Sequence, residues 1–295
     1  QIQVGNKYNA VLSPLDIVTT AGTNGNIIAA LNKLPGAQIA GEDGRLMVRG
    51  GNPNETQTYI NGIQVFQPYT PSSNAVPVRG RFSPFLFKGT NFSTGGYGSE
   101  FGNALSGILN LNTAMEIESP KTELSFSTVG LGVSNTQQWK DNSISFNVNY
   151  TNLKPYTKLI SQNITWDKPY QQASGEAIWR RKGKNSFFNL YGAYSFENFQ
   201  YEDEDIEFQE RGKTAIRSNN GYMNGTYQYY LPNNWKWELG MGIGYNKKNL
   251  GYFDFIIPNE QVGTHVKTLF RKSTGNQWSW MFGAEHQYEK FDESF

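Results

Sequence analysis

Residues Trp235 to Tyr245 read WKWELGMGIGY. The odd positions, Trp235, Trp237, Leu239, Met241, Ile243 and Tyr245, are large and apolar, while the even ones are Lys236, Glu238, Gly240, Gly242 and Gly244. Helical geometry cannot generate a period of two, so this is a strand with one greasy face and one polar or small face. Ten steps of about 3.3 Å, tilted by about 40°, rise about 25 Å, the height of the apolar band on an outer-membrane barrel. Trp at one end and Tyr at the other match the two aromatic girdles of such a band. A soluble sheet covering a core alternates in the same way, so the period alone leaves both architectures open.

The pattern recurs at Ile144, Phe146, Val148 and Tyr150, at Phe188, Leu190, Gly192, Tyr194 and Phe196, and at Trp278, Trp280, Phe282 and Ala284. The links between these runs separate the two architectures. Lys140-Asp141-Asn142, Lys182 to Asn185, Leu231 to Asn234 and Lys272 to Asn276 are short and carry turn chemistry. Between them fall long links, about Leu153 to Tyr170, Phe199 to Asn220 and Asn249 to Gln261. Short turns on one side and long loops on the other are the habit of an up-and-down membrane barrel. The expected strands are 121–130, 132–139, 143–152, 171–181, 186–198, 220–231, 235–248, 262–271 and 277–290. An open edge cannot face lipid, because unpaired backbone groups cost several kcal/mol each, so further polypeptide is expected to complete the wall.

Composition narrows the function. The 295 residues carry a formal net charge of +1, which offers no basic field for nucleic acid. The absence of cysteine excludes disulfides, Cys-ligated metals and thiol catalysis. Aromatic residues make up 15% and glycines number 31, yet mean hydropathy is −0.58, so no apolar run suggests a membrane helix. His265 and His286 are the only histidines, each on a strand without a nucleophile at motif spacing, and no Walker sequence occurs. Nothing points to an enzyme or calls for a cofactor.

Residues 1–118 read as a separate small α+β unit, and 119–295 as the wall. Asn24 to Leu34 places Ile27, Ile28, Leu31 and Leu34 on one helical face and stops at Pro35-Gly36. Short strands are expected at Arg45 to Arg49, Thr58 to Val65 and Gly107 to Asn112, with a Pro/Ser/Asn-rich loop at Gln67 to Pro77. Leu34-Pro35-Gly36, Val48-Arg49-Gly50-Gly51, Ile60-Asn61-Gly62, Tyr97-Gly98 and Leu105-Ser106-Gly107 occur in the order and spacing of one family. This ordered set, over about Ser13 to Thr113, resembles the plug domain of TonB-dependent outer-membrane receptors. SPLDIVTTAG, VRGGNPNETQTYING and RFSPFLF are most similar to receptors of the Bacteroidota. Asn61 stands where Asp is commoner, a change that a tight turn tolerates.

The resemblance implies a mainly β molecule: a small α+β plug followed by antiparallel up-and-down transmembrane strands. About nine of the strands of a larger barrel would be present, the whole having about twenty-two, enough to leave a lumen that needs a plug. It implies an outer-membrane location in a Gram-negative bacterium, with the plug in the lumen. The activity implied is uptake of a scarce nutrient (siderophore, vitamin, glycan or peptide), driven by the inner-membrane TonB complex. The TonB-contacting segment is not recognisable in Gln1 to Ala10, and a surface lipoprotein is a further possible partner. The alternatives are a plugged barrel acting as a structural or docking subunit of a secretion or surface assembly, and a soluble β-rich binding module. By the same resemblance, Arg49 is a plug–barrel charge contact. Phe66, Gln67, Tyr69, Arg79 and Arg81 flank the outward loop and are the ligand-binding candidates, since stacking aromatics and guanidinium groups grip sugars, catecholates and carboxylates. Tyr201 to Glu210 holds six carboxylates, with Asp203 and Asp205 the weak candidates for metal.

Overall fold

The computed structural model describes residues 9–23, 25–39, 44–162, 164–205, 210–253, 255–274 and 278–293. Its N-terminal part opens with β1 (Asn9–Leu12), α1 (Pro14–Thr19) and α2 (Ile27–Leu31). A capping box starts α1: the Ser13 hydroxyl accepts from the Asp16 amide, and the Asp16 carboxylate accepts from the Ser13 amide at 2.8 Å. Those bonds from Ser13 hold the Asp16 carboxyl below its ordinary range. Next come β2 (Ala37–Ile39), β3 (Leu46–Val48), β4 (Thr56–Ile60), β5 (Ile63–Gln64), β6 (Phe87–Ser93) and β7 (Gly107–Thr113).

Five of these strands form one sheet in the order β1-β6-β7-β4-β5, with β4 and β7 parallel, while β2 and β3 pair separately. The β4–β5 hairpin turns on Asn61 and Gly62, at φ 54° and 78°, the left-handed pair that an Asn-Gly turn supplies. The Asn61 side-chain oxygen accepts from the amide and the hydroxyl of Thr113 at 2.9 and 3.1 Å, so it also clamps the end of β7. That role needs an acceptor oxygen, which Asn and Asp share.

The remaining nine strands are β8 (Lys121–Ser127), β9 (Gly130–Trp139), β10 (Asn142–Asn152), β11 (Thr165–Lys182), β12 (Ser186–Asp205), β13 (Glu210–Leu231), β14 (Trp235–Tyr252), β15 (Phe255–Thr274) and β16 (Trp278–Glu293), with α3 (Lys154–Leu159) before β11. They form a single antiparallel sheet in sequence order, with β8 and β16 at its edges. All nine expected strands are present, but the long links are shorter than expected. β12 runs on to Asp205, β13 begins at Glu210, β14 reaches Tyr252 and β15 begins at Phe255. Beyond the apolar band the outward positions turn polar, as at Gln200, Glu202 and Lys213, which breaks the period-two signal while the ladder continues and Phe199, Tyr201 and Ile216 stay buried on the other face. Cross-strand pairs such as Lys213–Asp167, at 2.9 Å, line these extensions. The asymmetry between ends survives as tight turns at one end and overshooting hairpins at the other.

The wall separates its two faces as the sequence does. Leu239, Met241, Ile243 and Tyr245 are 39–58% exposed on the outside, and Ile144, Phe146, Val148 and Tyr150 behave alike on β10. At the turn end of this outer face, Trp237, Phe270 and Phe282 stack in register, joined by Tyr227 edge-on to Trp237. The opposite face is polar and buried beneath the plug, with Ser143, Ser145, Asn189, Ser195, Asn224 and His265 all at or below 4% exposure. Among the described residues no helix is long and apolar enough to cross a membrane; the strands are what carry the apolar band. The plug core, Ile17, Leu31, Leu46, Ile60, Phe92 and Leu111 among others, is continuous with Ile178, Tyr191 and Tyr222 of the wall.

Candidate plug apex site and the plug–wall contacts

The loop between β5 and β6 doubles back as an irregular hairpin. The Arg81 amide donates to Pro68 O at 3.0 Å, the Thr70 amide donates to Arg79 O at 2.8 Å, and Ser73 and Val76 exchange backbone bonds near the tip. Val76 is buried against Tyr170, Phe199, Tyr201 and Ile216 at the loop end of β11 to β13, which anchors the apex to the wall. Beside it opens a cavity of about 670 Å³, whose lining includes Phe66, Gln67, Tyr69 and Arg81 of the plug and Asn246, Lys248 and Gln261 of the wall.

Four of the five expected ligand residues therefore share one cavity, but they are not equally available. Gln67 donates to the side chain of Gln261. Tyr69 is half-buried against the plug core, and Arg79 is exposed and absent from the cavity lining. Phe66 lies on the wall, where a Cβ built on Gly244 would stand 3.4 Å from its ring and one on Gly263 would collide with it.

Arg81 departs furthest from the expectation. Its guanidinium donates to Glu197 at 2.9 Å and to Ser195 at 2.6 Å, with side-chain exposures of 4% for Arg81 and 0% for Glu197. It holds plug to wall by a buried charge pair. Nearby, Glu176 accepts from the Ser83 amide and from the Tyr191 hydroxyl, both at 2.8 Å. Arg180 donates to Ala114 O at 3.2 Å, where the chain leaves the plug. Phe82 and Phe87 pack on Tyr191, and Phe82 also meets Tyr222, so the aromatic residues that follow Arg81 lie against the wall.

Arg49 sits exposed at the turn after β3 with φ 51°, its amide bonded to Gly36 O and its side chain passing Gly36 and Gly95 of the plug itself. Asp203 lies on β12; the side chain of Asp205 and residues 206–209 are outside the described residues. Among the described residues no group of three or more His, Asp or Glu side chains converges to hold a metal ion. Trp166, expected in an outer loop, belongs to β11 and packs on Tyr201. Ser195, Glu197, Asn246 and Gln261 did not stand out in the sequence. Their signal was available in the alternation, since each occupies a lumen-facing position of its strand.

Residues 10–108 match the family model of the TonB-dependent receptor plug domain. No curated protein matches the sequence. Among solved structures, the siderophore receptor PirA of Acinetobacter baumannii is similar with a TM-score of 0.70 at 10% identity, covering 97% of this chain and 48% of its own. Pseudomonas aeruginosa FpvA, bound to heterologous pyoverdines, gives 0.71 at 9% identity, with 97% and 42% covered. The ferric enterobactin receptor of the same organism, in complex with BCV-L6, gives 0.67 at 8% identity, with 98% and 50% covered. The chain thus spans half or less of the length of these receptors. With that match, residues 10–108 belong to the TonB-dependent receptor plug-domain family, and the plug on the polar face of nine up-and-down strands has the fold of a plug with part of its barrel.

Proposed function

We propose that the receptor containing this chain takes up a scarce nutrient across the outer membrane of a Gram-negative bacterium, drawing energy from the inner-membrane TonB complex. The observation that carries this reading is the division of the wall: a lipid-facing apolar belt outside, and inside a plug held by hydrogen bonds and ion pairs. Contacts of that kind are exchangeable for water, which lowers the cost of shifting the plug wherever it does not share the apolar cluster around Tyr191 and Tyr222. The plug is assigned to 1–118 and the wall to 119–295.

The ligand is assigned to the outer cavity, where Phe66, Gln67, Tyr69 and Arg81 meet polar groups of β14 and β15. Arg79 is placed on the outward rim, and Arg49 is retained as a contact to wall beyond these nine strands. Ferric siderophores are the first class to test, because PirA and the ferric enterobactin receptor are named for them. Membership of the Bacteroidota rests on sequence wording alone. The test is uptake of ⁵⁵Fe-loaded catecholate siderophores by cells with and without the receptor gene, repeated after the proton-motive force is collapsed. Energy-dependent accumulation supports the reading. Binding without accumulation for every nutrient class tried favours a docking or structural role.

A further inference from the structure

Resting on the uptake reading, we propose that solute passes along one defined seam between plug and wall, over β13 to β15, and that Ile63 and Phe66 close it. Two cavities lie at opposite ends of this seam. The outer one, about 670 Å³, is bounded by Phe66, and the inner one, about 250 Å³ at the turn end of the wall, is bounded by Ile63. A smaller void lined by Val65, Phe66 and Gly244 lies between them. Ile63 lies on β5 and Phe66 two residues past its end, so a displacement of this segment that breaks the bonds from the Gln64 amide to His265 Nδ1 and from the Tyr222 hydroxyl to Ile63 O would join all three spaces.

The wall beneath that hairpin is flat. A Cβ built on Gly240 would stand 2.9 Å from Ile63 Cγ1, one on Gly242 would stand 2.6 Å from Ile63 Cγ2, and one on Gly263 would collide with the Phe66 ring. Polar groups also stand along the track without partners. The Ser218 hydroxyl, on a fully buried residue lining the outer cavity, has no hydrogen-bond partner among the described residues. The same holds for the side-chain oxygen of fully buried Asn224, beside Gly242. Unmet buried polar atoms are costly, and a passing hydrogen-bonding solute would satisfy them. At the inner mouth the charges are paired, Lys236 and Arg271 with Glu238, and Lys267 with Glu285. The seam therefore suits a hydrophilic solute recognised by hydrogen bonds rather than by net charge.

The test uses the complete receptor in planar lipid bilayers, with potassium chloride as the probe. The chain has no cysteine, so an introduced pair forms the only bridge within it. The Gly240 and Ile63 positions lie within disulfide reach, about 4.5 Å between Cβ atoms. The variant Ile63→Cys/Gly240→Cys/Phe66→Ala should conduct at least tenfold more than the parent when reduced, and should return to the parent level when oxidised. A bridge that forms without lowering the current, or a reduced variant that stays closed, overturns the seam. Should Phe66→Ala prevent folding, Phe66→Leu in the same background gives the same readout at a smaller amplitude. Conductance needs neither nutrient nor energy source. A parent receptor that imports nothing would therefore remove the uptake reading and leave this result standing.

Discussion

Two stretches of the lumen-facing wall meet the plug by opposite means. Over β10 to β12 the contact is made of large or charged side chains: Arg81 against Glu197, Glu176 beneath Ser83, and Tyr191 under Phe82 and Phe87. Over β14 and β15 the wall withdraws to glycine, and the plug supplies the bulk through Ile63 and Phe66. The first stretch is specific and strong because breaking it strands a charge out of water. The second is close-fitting and is also pinned, by the Gln64 amide to His265 Nδ1 at 2.9 Å and by Glu100 against Arg271 at 3.4 Å, but its ion pair is part-exposed where that of Arg81 and Glu197 is buried.

The charged side should show the largest effect. Arg81→Ala leaves Glu197 buried without its cation, and should destabilise plug docking by about 3–5 kcal/mol, read as earlier unfolding in urea for the receptor in detergent. Restoring an apolar pair with Arg81→Met/Glu197→Leu should recover most of the loss. Recovery by neither partner change would mean that the ion pair is not what holds this face. Next, Ile243→Lys tests whether β14 has lipid behind its glycines. A Lys near the bilayer midplane should cost about 2–4 kcal/mol in phospholipid vesicles, and no cost there would remove the membrane setting of the whole comparison.

On the glycine side, Gly263→Val drives a side chain into the Phe66 ring and should cost about 1–3 kcal/mol by overpacking. Gly192→Val, at a position with no atom within 4 Å of its Cβ, should leave stability near the parent. Equal effects would say that the two glycines differ in nothing the plug feels. The smallest effect is expected at the turn carrying Ile63. Asn61→Ala loses the acceptor for Thr113 and strains a left-handed residue, at a cost of about 1–2 kcal/mol, whereas Asn61→Asp keeps the oxygen and should stay close to the parent. Hydrogen exchange at Ile63 and Gln64 would register the difference.

Much of this was legible in the order of residues. The alternation of Trp235 to Tyr245 placed Leu239 and Ile243 on one face and the glycines on the other, and both assignments hold. The helix at Ile27–Leu31, the strand at Gly107–Thr113 and the Asn-Gly turn followed from local patterns. The overshooting hairpins did not, because Glu202 and Lys213 break the apolar alternation of the outward face and look like loop. Short β1 and β2 were missed as well, since strands of that size are specified by the sheet they join rather than by their own period, and so was β6, whose Phe87-Lys-Gly-Thr-Asn-Phe-Ser carries no clean alternation.

By itself, the sequence determined which residues of each wall strand share its apolar face and which share its polar one, since side-chain parity is fixed by strand geometry alone. Only the tertiary structure decided the partners across the lumen: that Arg81 pairs with Glu197, and that Phe66 rests on Gly263. Those residues lie more than a hundred positions apart, and no local period carries information about which strand will stand opposite which loop. Register and closure of the sheet supply it.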